Sequence, residues 1–139
     1  MSILPHVLRT AERLVGVEHA LAHCDLPCGV YDPAQAKIEA ESVHEIMKKY
    51  ADDTDPVFRQ RAILIKEQRA ELTKHHLWVL WTDYFTPEHL QAHPELHDLV
   101  WKTTKLAGEA KHSVDPKVGQ KLLDGIGKIE KIFWDTKTD

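Results

Sequence analysis

A chain of 139 residues, 42% of them hydrophobic, can bury one sizeable core but is too short for two ordinary domains. Its formal charge of -4, with lysines interleaved among acids, offers no basic surface to neutralise a phosphate backbone, which argues against nucleic-acid binding. No apolar run of about 18 residues occurs, so no spanning helix is expected, and two cysteines are too few for a disulfide scaffold.

Residues 1–22 carry Arg9, Glu12, Arg13 and Glu18, which interrupt the continuous apolar stretch that a secretory signal needs. Ala20-Leu21-Ala22 stands directly before His23, and small residues at alternate positions suit an endoprotease with narrow pockets. Two readings stand side by side. One is a leader removed after Ala22, leaving 23–139 as the working domain; the other is an amphipathic N-terminal helix that stays attached and packs Leu8, Val15 and Leu21.

The next segment holds both cysteines, Cys24 and Cys28. If His23 becomes the N-terminus, its free amine, the next amide nitrogen and the Cys24 sulfur form two fused five-membered chelate rings. Cys28, returned by the turn through Leu26-Pro27, can fill the fourth corner of a plane, and the His23 imidazole can reach an axial position. Two nitrogens and two thiolates in a tetragonal field suit nickel(II) or copper(II) better than zinc, which prefers a tetrahedron. The cysteine spacing alone is equally compatible with two ordinary loop thiols, a zinc half-site or a redox-active disulfide.

Beyond the cysteines the sequence reads as helical almost throughout. Asp32-Pro33, Asp55-Pro56, Thr86-Pro87 and Asp115-Pro116 each put an oxygen acceptor at an N-cap and a proline where its missing N–H costs nothing. The first segment, roughly 33–51, sets Ala36, Val43, Ile46, Met47 and Tyr50 near one face. The second, about 55–84, places Phe58, Ala62, Ile65, Leu72, Val79 and Leu80 on a stripe and ends in Trp78, Trp81, Tyr84 and Phe85. The third restarts at Pro94 after a short turn of helix, with Leu96, Leu99, Val100 and Leu106. The fourth, from Pro116, carries Val118, Leu122, Ile126, Ile129 and Phe133 at strides of three and four. Four amphipathic helices with short links predict an all-α fold, an antiparallel four-helix bundle preceded by an N-terminal metal-binding hook.

Other histidines offer rivals. Glu41-x-x-His44 and Glu109-x-x-His112 have the spacing of a ferritin-like di-iron bundle, but His44 falls off the apolar stripe and His112 sits at a helix end. His75 and His76 are adjacent and cannot both point inward from one helix. A nickel or copper carrier would use the same hook for transfer rather than turnover.

The string HCDLPCGVYDP, residues 23–33, resembles the nickel hook at the mature N-terminus of the nickel superoxide dismutase family. The similarity continues through AQAKIEAESVHEI, IKEQRAELTKHHLWVLWTDYF, PELHDLV and KIEKIFWDTK, covering essentially everything from His23 onward. The resemblance implies one nickel ion per subunit, held by the His23 amine and imidazole, the Cys24 amide nitrogen and sulfur, and the Cys28 sulfur. It also implies Glu39 and Arg69 as the residues that orient the His23 ring, with Asp25 and Tyr31 beside the substrate approach. The implied activity is disproportionation of superoxide to dioxygen and hydrogen peroxide by cycling nickel(II) and nickel(III), with Tyr31, solvent or a protonated ligand as proton source. A cytoplasmic homohexamer of four-helix bundles, and a protease that trims the leader, complete what the resemblance implies.

Overall fold

The computed structural model describes residues 28–137. His23, Cys24, Asp25 and the proposed leader 1–22 lie outside the described residues. Residues 28–30 belong to a first unit that ends at Val30, and the helices belong to a second that begins at Tyr31.

Among the described residues every regular element is helical. They are α1 (Ala34–Asp52), α2 (Pro56–Val79) continued by a π-helical turn (Leu80–Tyr84), the short α3 (Pro87–Ala92), α4 (Leu96–His112) and α5 (Pro116–Lys137). The proline signals at Asp55, Thr86 and Asp115 start helices as expected, whereas α1 begins one residue later than expected, at Ala34, with Pro33 rather than Asp32 at its N-cap. Asp32 Oδ1 accepts from the Ala34 amide at 2.8 Å, Asp55 accepts from the Val57 and Phe58 amides at 3.3 and 3.1 Å, and Asp115 Oδ1 accepts from the Lys117 amide at 2.9 Å. Thr86 and His89 form a reciprocal capping box, but the helix they start is α3, six residues long. The long third helix begins at Leu96 rather than Pro94. Pro94 lies in the turn, and α4 takes its first bond from the Leu99 amide to the Glu95 carbonyl at 3.0 Å.

The buried side chains recur at strides of three and four. They are Ala36, Ala40, Val43 and Met47 on α1; Ala62, Lys66, Ala70, Thr73 and Leu77 on α2; Leu96, Val100, Thr103, Ala107 and Ala110 on α4; and Val118, Leu122, Ile126, Ile129 and Phe133 among those of α5. That spacing keeps one seam per helix facing inward, which is what near-parallel packing requires. α1 packs on α2 and α5, and α4 packs on the same two, so the four long helices close a square. Cross-contacts link the helices. Lys37 meets Glu130 and His44 meets Gly119 across α1 and α5, so that pair runs antiparallel, while Lys66 meets Ala110 and Lys111 meets Glu71 across α2 and α4.

The second stripe differs from expectation. Lys66, 2% exposed, occupies a core position, whereas Ile65 is 37% exposed. Lys66 Nζ donates to the carbonyls of Ala110 and Lys111 at 2.6 and 3.0 Å. These are among the last carbonyls of α4, which lack partners within their own helix, so a lysine from α2 closes that end. Burial lowers its pKa.

Candidate metal centre

Cys28 is exposed and is followed by Gly29, whose φ of 65° is a left-handed conformation open to glycine at little cost. An added Cβ at Gly29 would meet no atom within 4 Å, so the requirement there is one of backbone alone. The chain then enters α1 through Tyr31, Asp32 and Pro33. Pro33 is buried, Asp32 accepts from the Ala34 amide at the start of α1, and Tyr31 is half-buried with its Oη shielded from solvent. The three residues after Val30 thus anchor the approach to α1.

Tyr31 packs against Tyr84, with ring centroids 5.5 Å apart and planes inclined by 54°. Tyr84 comes from the π-helical turn, where the Phe85 amide reaches back to the Leu80 carbonyl at 3.0 Å. The extra residue in that turn re-aims the end of α2, a use of π turns common at functional sites. Phe133 of α5 lies 4.4 Å from the Tyr84 ring, and Phe85 and His89 flank it at 5.2 and 5.6 Å. Tyr84 was legible only as part of an aromatic cluster; its contact with Tyr31 was not.

Glu39 of α1 and Arg69 of α2 meet across the helix pair. Arg69 Nη1 donates to both carboxylate oxygens, at 3.3 and 3.2 Å. Glu39 is the better shielded partner, its side chain 16% exposed against 38% for Arg69. His76 lies seven residues beyond Arg69 on the same helix. Burial lowers its pKa, the neighbouring His75 lowers it further, and Glu39 opposes both. His75 is exposed and His76 half-buried, with their rings edge to face at 5.5 Å, as adjacent helical positions dictate.

The di-iron alternative is not supported by this arrangement. Glu41, Glu109 and His112 are exposed, and the bundle interior between the helices is filled by apolar groups with Lys66, Thr73 and Thr103. Among the described residues, no three His, Cys, Asp or Glu side chains come together to hold a metal ion.

The model of the nickel-containing superoxide dismutase family matches residues 18–137. The chain belongs to that family. A superoxide dismutase [Ni] of Streptomyces coelicolor is 63% identical over 116 residues, spanning 84% of this chain and 88% of its own. The native nickel superoxide dismutase structure is 62% identical with a TM-score of 0.82, and it is covered over 100% of its length by 84% of this chain. A solved variant of nickel superoxide dismutase, in which the first residue, a histidine, is replaced by alanine, is 60% identical with a TM-score of 0.76, covering 78% of this chain and 99% of its own. Family membership makes nickel the cofactor and supports an oxidoreductase rather than a metal carrier or an iron protein. Among the described residues, no helix is long and apolar enough to cross a membrane.

Proposed function

We propose that this chain disproportionates superoxide at a nickel site built from His23, Cys24 and Cys28 after residues 1–22 are removed. The observation that carries the reading is the family match over 18–137, joined to an intact His-Cys-x-x-x-Cys-Gly string at 23–29. Leader removal has its own support. The native solved chain is matched along its whole length by 84% of this one, and residues 1–22 are about the size of the remainder. The histidine that the solved alanine variant replaces is the first residue of that relative, the residue type found here at His23.

The donors fit nickel. Cys28 is an exposed thiol beside a glycine in the left-handed conformation, so its sulfur can be presented to a metal. Two thiolates, an amide and an amine favour a tetragonal metal with an accessible higher oxidation state. When bound, nickel supplies the one-electron couple through which one superoxide is oxidised to dioxygen and another is reduced to peroxide.

The chain's residues set the conditions for that chemistry. Glu39 and Arg69, paired across α1 and α2, hold the His23 ring through charge-assisted hydrogen bonds, which are directional. Tyr31, steadied against Tyr84, borders the substrate approach with Asp25, and the two protons of peroxide formation come from Tyr31, solvent or a protonated ligand. Homohexamer formation and cytoplasmic residence belong to the same proposal. Large side chains left exposed on the bundle, among them Ile38 at 59%, Leu64 at 63% and Trp101 at 57%, support contact between copies.

Replacing Cys24 or Cys28 by serine in the processed protein tests the site. The expected result is loss of both nickel and turnover with the helical fold retained; full turnover in either variant would exclude these ligands.

A further inference from the structure

The end of α5 reaches the candidate site through one side chain. Thr136 Oγ1 lies 2.6 Å from Tyr84 Oη and also donates to the Phe133 carbonyl at 2.6 Å. A threonine hydroxyl has one proton, and a carbonyl can only accept. Thr136 therefore spends its proton on Phe133 and must accept from Tyr84, so the Tyr84 O–H points at α5. Toward any other neighbour the Tyr84 oxygen can only accept. Lys137 completes the arrangement, its Nζ 4.9 Å from the centre of the Tyr84 ring.

We propose that Thr136 is a positioning residue for Tyr31, acting through Tyr84. The π-helical turn and the aromatic neighbours hold the Tyr84 ring in place, and Thr136 fixes the direction of its hydroxyl. Tyr31 stands against that ring, so the side chain that borders the substrate approach takes its setting from the last turn of the last helix. Tyr84 also cannot serve as a ready proton donor for peroxide, because releasing its proton would break the chain of bonds that ends at Phe133. This inference rests on the reading of Tyr31 as a residue of the substrate approach.

The test uses the processed protein, nickel-loaded and metal-stripped, with tyrosine labelled by carbon-13 at Cζ. The chain has three tyrosines, Tyr31, Tyr50 and Tyr84, so three signals are expected, assigned with Tyr31→Phe and Tyr50→Phe. Tyr50 serves as an internal control, since it lies near the far end of α1 under the Arg59 guanidinium. In Thr136→Val the Tyr84 and Tyr31 signals should both move while that of Tyr50 stays, and Thr136→Ser should return them. At saturating superoxide, Thr136→Val should lower kcat by roughly two- to tenfold, the range expected for one lost hydrogen bond. Thr136→Ser should recover most of that rate, and combining Thr136→Val with Tyr31→Phe should cost no more than Tyr31→Phe alone. A Tyr31 signal unmoved by Thr136→Val, or rate losses that multiply in the double variant, would overturn the proposal. If Tyr31→Phe alone leaves turnover intact, the role of Tyr31 fails, and the spectra still decide whether Thr136 sets its position.

Discussion

Arg69 grips Glu39 through a single terminal nitrogen: Nη1 reaches both carboxylate oxygens, at 3.2 and 3.3 Å, leaving Nη2 and Nε outside the pair. A guanidinium that spends one nitrogen on a carboxylate keeps further donors for a second acceptor, and the proposed function makes that acceptor part of the His23 environment. Because Arg69 is 38% exposed, solvent screens the pair and its worth to stability is below about 1 kcal/mol. Arg69→Ala should therefore leave the melting temperature nearly unchanged. Turnover per nickel should fall by roughly ten- to a hundredfold, as for other residues that orient a metal ligand. Parallel thermal melts and assays normalised to bound nickel separate the two effects.

Lys66→Met retains most of the side-chain volume but strips the donor from the Ala110 and Lys111 carbonyls. Leaving such acceptors unpaired in a buried setting costs about 1–3 kcal/mol. Urea denaturation should show a lower midpoint with an unchanged slope, while activity per bound nickel should match that of the parent.

Gly125→Ala should destabilise the α4–α5 contact. A Cβ at Gly125 would stand 2.5 Å from Thr103 Oγ1 and 3.0 Å from its Cγ2, too close without a shift of one helix. Overpacking of this kind costs about 1–3 kcal/mol. Thr103→Ala removes the obstructing atoms, so the double variant should regain part of the loss, and denaturation of all three proteins would show the non-additivity.

His76 gives a stability term with a definite sign. Its folded pKa is lowered, chiefly by burial, so between that value and the unfolded pKa of about 6.5 the unfolded chain binds more protons than the folded one. Stability from this group is complete above pH of about 6.5 and declines as pH falls through the window below it. His76→Gln should flatten that part of the pH–stability curve, measured by denaturation at closely spaced pH values. If the slope survives intact, another group carries it.

The helices were readable where chemistry and periodicity agree. Val118, Leu122, Ile126, Ile129 and Phe133 are apolar at core strides and all are buried; Asp55-Pro56 and Asp115-Pro116 cap as their residue types require. α2 was harder to read because Lys66 and Thr73 hold inward positions, and an apolar count assigns such residues to the surface. What makes Lys66 tolerable there is the open end of α4, some 44 positions away, which no local pattern reveals. The same holds at the site. Glu39 and Arg69 were named through resemblance, since on helix faces charged residues are ordinarily solvated, and only the packing of α1 on α2 joins them. The Tyr31–Tyr84 contact needs the π-helical turn, and nothing in the LWTDY segment announces that extra residue.

The most direct test of the central claim is intact mass and metal analysis of catalytically active protein. Active material should carry nickel at about one ion per chain and a first residue of His23, its mass lacking residues 1–22. Full activity in a nickel-bearing chain that still begins at Met1, or in a processed chain without nickel, would contradict it.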